Sequence, residues 1–227
     1  DEPGAGLFNQ LAGVEAQVKE LMGSTDKPVI VNLFPNYASS AQLGYPDDIS
    51  RKAAYEAHVR DYCDIFKPEI LCYDHYPLSK EMLRSGFAFE KNMATYFENI
   101  STIRMNAWSE DIPMWLFIQA VSWGGMANPT KEQQRFLMNA ALVFGVKNTL
   151  YFFYQTPYAL DDQGEGFTTY PVDFNGNPTG DYYKVQQVNA EFNNYLDYYA
   201  GFELKGVILL NPSPGMRSGV AKGITLP

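Results

Sequence analysis

One pattern, a helix followed by a short apolar strand, repeats four times along the chain and restricts the fold more than any other feature. In each unit, apolar residues at three- and four-residue spacing predict the helix. The run that follows is rich in Val, Ile, Leu and aromatic residues and is bounded by turn or polar residues, as is typical of a parallel strand covered on both faces. The predicted helices are 6–22, 51–66, 88–110 and 130–144, the predicted strands are 28–34, 69–74, 113–119 and 148–154, and a last helix is predicted over 181–199.

The spacing of these units indicates how the strands are arranged. The strands end near Pro35, Tyr76, Gln119 and Tyr154, so one unit recurs roughly every 40 residues, and such units form a parallel sheet. Two architectures fit. An open, doubly wound α/β sheet would be complete at this length, whereas four units make up half of a (β/α)8 barrel.

The C-terminal segment differs from the repeats. Residues 204–210 are predicted to form a strand, and 211–223 are rich in Pro, Gly and Ser. We therefore divide the chain into a domain at 1–200 and the start of a following segment or β domain at 201–227.

Composition and charge exclude several classes of partner. The 227 residues are 46% hydrophobic and 19% charged, with a net charge of −9. An acidic chain of this kind is not expected to bind nucleic acid or anionic lipid, and no apolar run is long enough to span a membrane. Walker, complete dinucleotide and H-E-x-x-H motifs are missing from the sequence, so no cofactor or metal is expected. Cys63 and Cys72 are predicted to be buried free thiols.

Polar and aromatic residues gather where the predicted strands end. Ligands bind at the carboxyl ends of parallel strands, so these residues are expected to line one mouth. Trp123, followed by two glycines, suggests a platform for a sugar ring, and side-chain amides suit sugar hydroxyls. The residues in question are Asn36, Tyr37, Tyr73, Asp74, His75, Tyr76, Gln119, Trp123, Tyr154 and Gln155.

Asp1-Glu2-Pro3 precedes the first helix and so lies at an equivalent strand end. Taken alone, its carboxylates fit either a site or the N-terminal charges of a helix. Likewise, Asp74-His75 fits either a catalytic carboxylate with its orienting group or a structural hydrogen-bonded pair.

The Asp1-Glu2-Pro3 segment resembles the Asn-Glu-Pro motif that ends the fourth strand of many retaining (β/α)8 glycoside hydrolases, in which the Glu is the general acid/base. Residues 1–200 as a whole are similar to the C-terminal half of β-galactosidase-like barrel glycosidases. The similar segments are Leu33-Phe-Pro-Asn-Tyr37, Tyr73-Asp-His-Tyr-Pro77, Tyr96-Phe-Glu-Asn99, Ile112-Pro-Met-Trp115, Phe117-Ile-Gln119, Ala140-Ala-Leu-Val-Phe-Gly145 and Tyr151-Phe-Phe-Tyr154.

This resemblance implies a TIM barrel of which strands 5–8 are present, with Glu2 as acid/base. It implies retaining hydrolysis of an O-glycosidic bond in a poly- or oligosaccharide, without a cofactor. It also implies an extracellular or periplasmic enzyme of polysaccharide degradation. A half-barrel would expose a sheet edge and apolar surface, so the expected partners are a carbohydrate substrate and either the missing N-terminal half or another copy of the chain.

The chain departs from the family at one position. The family nucleophile is a Glu at the end of the seventh strand, where this sequence has Gln119. A neutral amide cannot form the glycosyl ester. We favour Asp74 as the nucleophile or stabilising carboxylate. The alternatives are Asp161, Asp162 or Glu165 in the last long loop, a carboxylate from the missing half, or a catalytically silent carbohydrate-binding protein.

Overall fold

The computed structural model describes residues 1–23, 26–155, 166–167, 169–209 and 219–221. It is a mixed α/β structure built on a four-stranded parallel sheet, as the repeated helix–strand pattern predicts. The strands of this sheet are β1 (Asn32–Leu33), β2 (Leu71–Asp74), β3 (Met114–Gln119) and β4 (Asn148–Phe152). The helices are α1 (Phe8–Met22), α2 (Ser40–Leu43), α3 (Arg51–Phe66), α4 (Gly86–Glu110), α5 (Lys131–Val143) and α6 (Gly180–Ala200).

The strands of the parallel sheet follow one another in chain order, β1-β2-β3-β4. Cys72 of β2 lies opposite Asn32 of β1 and Trp115 of β3. Towards the carboxyl ends, Asp74 lies opposite Phe117, and Gln119 lies opposite Phe152. Paired residues of parallel strands point to the same face of the sheet, so Asn32, Asp74 and Phe117 share a face.

Local sequence signals set the ends of several helices. The Ser50 side chain caps α3 by accepting a hydrogen bond from the backbone N–H of Ala53. The sequence Thr130-Lys-Glu-Gln133 has the pattern of a capping box, and these two residues form one at the start of α5. The short α2 was not predicted, although Ser39 and Gln42 form a second capping box there.

The hydrophobic core lies between one face of the sheet and the helices. Val188 and Phe192 of α6 and several residues of α3, α4 and α5 belong to it. The strand residues of this core alternate along β2 and β3 as one face of a pleated strand requires. They are Leu33, Leu71, Tyr73, Met114, Leu116 and Ile118.

The opposite face of the sheet differs from the prediction. Trp115, Phe117 and Leu150 point away from the core, are not members of it, and remain partly exposed. The prediction of strands covered on both faces is confirmed for β2, which is buried at all four positions, but is wrong for β3 and β4, which keep partly exposed residues. An apolar run along a strand indicates that the side chains on both faces are hydrophobic, but it does not show which element packs against each face.

Smaller features of the fold agree with the sequence. Cys63 lies on α3 and Cys72 within β2, and both are buried free thiols. Beyond α6, β5 (Gly206–Ile208) pairs antiparallel with β6 (Gly219–Ala221).

Within the described ranges, no helix is both long and apolar enough to cross a membrane. The same residues contain no group of three or more His, Cys, Asp or Glu side chains placed to hold a metal ion.

Leu116 offers a direct measure of the packing between sheet and helices. Its side chain is 1% exposed, so Leu116→Ala is expected to lower the free energy of unfolding by about 3 kcal/mol, through lost burial and the cavity left behind. Urea unfolding followed by circular dichroism measures this change. Leu21→Ala is the matched control, because Leu21 is 88% exposed, and it should change stability by less than about 0.5 kcal/mol. Equal losses in the two variants would contradict the described core.

Candidate active site

The Asp1-Glu2-Pro3 segment lies beside β1, as expected for the end of a neighbouring strand. The backbone N–H of Glu2 donates to the carbonyl of Asn32 at 2.8 Å. Glu2 adopts a positive φ of 48°, a strained conformation for a residue other than glycine. The following turn approaches the loop after β1 so closely that a Cβ on Gly4 would lie 2.9 Å from the carbonyl oxygen of Gln42. The backbone hydrogen bond to Asn32 thus holds Glu2 at the edge of the sheet, and the space beside Gly4 leaves no room for a side chain next to α2.

A cavity of about 580 Å³ opens at the carboxyl ends of the strands. It brings together five residues that the sequence placed at strand ends: Glu2, Tyr37, Asp74, Tyr76 and Trp123. The other lining residues are Asp1, Asn32, Phe117, Met126 and Phe152. The cavity therefore combines carboxylates with aromatic rings.

Glu2 and Asp74 form an interacting carboxyl pair in this cavity. Burial raises the pKa of Glu2, and a hydrogen bond with Asp74 offsets part of that rise. Burial, followed by the negative charge of Glu2, raises the pKa of Asp74 to about 7. Two neighbouring carboxyl groups cannot both ionise easily, so the pair retains one proton near neutral pH.

Asp74 is 7% exposed, yet its Oδ1 atom has no hydrogen-bond partner among the described residues. The Oδ1 atom of Asn32, another residue that lines the cavity, is buried and unpartnered as well. The Asn32 amide uses its Nδ2 atom to donate to Asp1 Oδ1 at 3.2 Å. The cavity thus presents two acceptor atoms that lack donors, and buried acceptors of this kind are usually satisfied by a ligand or by water.

Two tyrosines adjoin the carboxyl pair. Burial, together with the charges of Asp74 and Glu2, raises the pKa of Tyr37, and the backbone N–H of Tyr76 offsets this in part. Burial and the neighbouring Asp74 raise the pKa of Tyr76, whose hydroxyl bonds to the Asp74 carboxyl group. Both phenols therefore stay neutral at physiological pH and can donate hydrogen bonds to a ligand or to a carboxylate.

An aromatic cluster forms one wall of the cavity. Trp123 packs edge-on against Tyr76, with ring centroids 5.0 Å apart, and against Phe152 at 5.4 Å. Phe167 stacks on Trp123 at 5.9 Å. The predicted role of Trp123 as a sugar platform stays a prediction, but its position beside the carboxyl pair fits that role.

His75 lies outside the cavity lining, in a buried polar network behind it. Its Nδ1 bonds to Asn99 Oδ1 at 2.8 Å, and burial lowers the pKa of His75 to about 4. Asn99 also accepts from the backbone N–H of Asn36 at 3.0 Å and donates to the Tyr55 hydroxyl at 2.6 Å. The His75 ring packs edge-on against Tyr37 at 5.0 Å. This network of neutral groups ties α3, α4 and the loops after β1 and β2 together and positions Tyr37.

The buried position of Asn99 also bears on the Asn99-Ile-Ser101 sequence, which has the form of a glycosylation site. Asn99 is fully buried within α4. Its side-chain Oδ1 atom is hydrogen-bonded to His75, and its Nδ2 atom donates to the Tyr55 hydroxyl. Its place in the sequence indicated a helix, but only the contacts show its role as the centre of this network.

The Gln119 side-chain amide is likewise hydrogen-bonded to backbone atoms of the protein. Its Oε1 accepts from the backbone N–H of Leu78 at 3.1 Å, and its Nε2 donates to the carbonyls of Leu78 and Ala127 at 3.0 and 2.8 Å. Gln119 is fully buried and joins the loop after β2 to the loop after β3. We therefore leave it out of the proposed set of binding residues.

Four other candidates also lie away from the cavity. Tyr73 points into the core on the helix side of β2. Asn36 donates from Nδ2 to the Thr95 carbonyl at 3.0 Å. Tyr154 lines a separate cavity between β4 and α6. Gln155 is exposed and donates to the Asp173 carbonyl at 3.5 Å. Asp161, Asp162 and Glu165 lie outside the described residues.

Sequence reasoning missed Asn32, Phe117, Met126 and Phe152 as lining residues. It placed the end of β4 at Tyr154, two residues beyond the observed end at Phe152, and it followed the loop after β3 only as far as Trp123 and the two glycines, short of Met126. Phe117 and Asn32 are on the cavity side because they lie on the same face as Asp74. Side chains alternate between the two faces of a strand, so a known strand register would have shown which residues of β1 and β3 share a face with Asp74. The sequence alone does not give that register.

The raised pKa of Asp74 predicts how stability varies with pH. Between the pKa of an unfolded Asp, about 4, and the folded value of about 7, the folded state holds a proton that the unfolded state has lost. The free energy of unfolding therefore falls as pH rises through this range. Asp74→Asn removes the effect, and should exceed wild-type stability by on the order of 2 kcal/mol at about pH 8 but by much less at about pH 4.

Urea unfolding at both pH values tests this prediction. Asp47→Asn removes an exposed carboxylate outside the cavity lining and serves as the control for the loss of one charge. An Asp74→Asn variant that keeps the wild-type dependence on pH would show that Asp74 is not the buried carboxyl that holds the proton.

Neither a scan against protein-family models nor a search of the curated proteins finds a match for the chain. The chemistry proposed for the cavity therefore depends on its own residues, above all Glu2, Asp74 and the aromatic wall around Trp123.

Proposed function

We propose that this protein is a glycoside hydrolase that cleaves an O-glycosidic bond in an oligo- or polysaccharide with two carboxyl groups. The observation that carries the proposal is the interacting Glu2–Asp74 pair, which retains a proton in an aromatic-lined cavity. Glycosidases need one carboxyl group that is protonated and one that is ionised on either side of the scissile bond. The resemblance of Asp1-Glu2-Pro3 to the acid/base motif of barrel glycosidases supports the same function.

The fold we propose for the complete catalytic domain is a (β/α)8 barrel, of which residues 1–200 form strands 5–8. Two features support it. The strands follow chain order, whereas a doubly wound sheet reverses its order at a switch point. The described core lies on one face only, and Trp115, Phe117 and Leu150 on the other face are partly exposed, as the inner side of an unclosed barrel would be. We propose the remaining barrel half, or a second copy, as the partner that covers this face.

In the proposed reaction, one carboxyl group gives its proton to the glycosidic oxygen as the bond to C1 breaks. The other, as carboxylate, bonds to C1 and forms a glycosyl ester. Water then attacks C1, the first group removes its proton, and the ester carboxylate leaves, so the anomeric configuration is retained. The hydrogen bond between Glu2 and Asp74 places the two groups closer together than the about 6.5–9.5 Å of an inverting pair and no farther apart than the about 5–5.5 Å of a retaining pair. The proposed retention therefore rests mainly on the family resemblance.

The division of roles between the two carboxyl groups is open to two assignments. The resemblance assigns the acid/base role to Glu2 and leaves Asp74 as nucleophile or stabilising carboxylate. The pKa values point the other way, because the more deeply buried Asp74 holds its proton to about pH 7. We propose Glu2 as the acid/base because the sequence Asp1-Glu2-Pro3 resembles the family motif. The two assignments predict opposite results with different leaving groups.

The remaining cavity residues are suited to a sugar. The hydroxyls of Tyr37 and Tyr76 can donate to ring or hydroxyl oxygens, and the Asn32 Oδ1 and Asp74 Oδ1 atoms can accept from sugar hydroxyls. The aromatic wall offers ring faces to the apolar face of a pyranose. On the resemblance alone, we propose a role in polysaccharide degradation outside the cytoplasm, without a cofactor.

A second candidate function is carbohydrate binding without turnover. It is favoured by Gln119, an amide at the position where the family has its nucleophile, whose hydrogen bonds all go to the neighbouring loops. In this case the cavity would bind a saccharide, and no variant of Glu2 or Asp74 would alter a reaction rate.

Substitution of the two carboxyl groups tests the proposed function in the full natural polypeptide. We expect Glu2→Gln and Asp74→Asn each to lower kcat/KM for an alkyl or sugar leaving group by about 10³-fold. A dinitrophenyl glycoside needs no proton to release its leaving group. With that substrate, kcat/KM of the acid/base variant should fall by less than about tenfold, because the glycosylation step no longer needs a proton. The kcat/KM of the nucleophile variant should still fall by about 10³-fold.

Glu20→Gln is the control for this experiment, because Glu20 is exposed on α1 and is not among the residues that line the cavity. Wild-type turnover that survives in both cavity variants would show that another group carries the reaction. Binding of an oligosaccharide without turnover by the wild type would favour the second candidate function.

The pH dependence of the reaction follows from the shared proton. Only the singly protonated pair is active, so kcat/KM should rise with pH while the first proton leaves and fall as pH passes through about 7, where the Glu2–Asp74 pair loses its second proton. Initial rates at low substrate concentration, measured between about pH 4 and about pH 9, give this profile. A rate that keeps rising above pH 8 would contradict a protonated carboxyl group in the reactive state.

A further inference from the structure

We propose that the cavity selects uncharged saccharides against anionic ones, and that Asp1 contributes to this selection as a third carboxylate outside the reacting pair. The inference rests on the proposed function and names the class of substrate for the same site. The excluded class comprises sugars that carry a carboxylate or a sulfate group next to the scissile bond.

The charge of the cavity wall supports this selection. Among the described residues that line it, three carry carboxyl groups, Asp1, Glu2 and Asp74, and none is Lys, Arg or His. A carboxylate on the substrate would therefore meet like charges in a partly buried space, where repulsion is stronger than in water. A site for anionic sugars would be expected to present Arg or Lys.

The sequence of the segment after β4 is acidic. The sequence contains no Lys, Arg or His between residues 148 and 183 but has Asp161, Asp162 and Glu165 in the long segment after β4. On the loop after β2, Lys80 is held at the surface, where its Nζ donates to the carbonyl of Gly124 at 2.7 Å. These segments therefore offer no compensating cation within the cavity.

Hydrogen bonding favours a hydroxyl-bearing ligand for a separate reason. The Oδ1 atoms of Asp74 and Asn32 are buried acceptors that have no partner within the part of the chain that the structure describes, and both residues line the cavity. A sugar hydroxyl can donate to such an atom, whereas a carboxylate or sulfate group has only acceptor oxygens. Replacing the C6 hydroxyl of a hexose by a carboxylate would thus remove a donor and add a like charge.

Substitution of Asp1 can separate selection against anionic saccharides from catalysis. It is exposed at the edge of the cavity, and its Oδ1 accepts from Asn32 Nδ2 at 3.2 Å. The proposed reaction uses Glu2 and Asp74 and assigns no proton transfer to Asp1. Because Asp1 is exposed, Asp1→Asn is not expected to disturb folding.

The test pairs each aryl hexoside that the protein hydrolyses with the aryl hexuronide of the same ring configuration. In the full natural polypeptide, we expect kcat/KM for the hexuronide to be at least about 100-fold lower than for the hexoside. Asp1→Asn should raise the ratio of hexuronide to hexoside kcat/KM by about tenfold. Raising the ionic strength from about 0.02 M to about 0.5 M should raise the wild-type ratio as well, because salt screens the repulsion.

The exposed Glu20 on α1 again supplies the control, and Glu20→Gln should leave the ratio unchanged. Hydrolysis of hexosides together with comparable hydrolysis of hexuronides would overturn the inference and leave the proposed function intact. An Asp1→Asn ratio equal to that of the wild type would overturn the assignment to Asp1. Failure to hydrolyse any glycoside would instead overturn the proposed function, and the inference with it.

Discussion

In-register parallel pairing of β1, β2 and β3 is the constraint on which the candidate site depends. It places Asp74 opposite Phe117 and one strand away from Asn32, with all three on the same face of the sheet. The other face carries Leu116 and Tyr73 into the core. Because successive side chains alternate between faces, packing one set of residues against the helices orients the other set towards the cavity.

The environment of Asp74 has a thermodynamic cost as well as a proposed chemical role. Burial and the charge of Glu2 raise its pKa to about 7, so ionising it in the folded state takes free energy that a surface Asp would not require. Sites that react through carboxyl groups need such raised pKa values, which fold stability alone does not explain. The positive φ of Glu2 is a second local strain in the same cavity.

Much of the fold and part of the candidate site could be predicted from the sequence. Helix spacing and apolar runs identified the elements of the parallel sheet, and strand ends identified Glu2, Tyr37, Asp74, Tyr76 and Trp123 as cavity residues. Polar residues at the same ends proved harder to interpret. Gln119 and His75 have the residue types of a binding site, but their hydrogen bonds go to Leu78 and to Asn99. A side chain at a strand end can bind a ligand or hold a loop, and its type does not distinguish the two.

The sequence by itself determined the order of helices and strands, the capping box at Thr130 and the acidic, aromatic character of the chain, because spacing and composition are local properties. Only the tertiary structure decided which face of each strand meets the helices, that Glu2 and Asp74 interact, and that Asn99 joins His75 to Asn36. These outcomes depend on contacts between residues far apart in the chain. Their pairing follows from strand register and core packing, which no local pattern encodes.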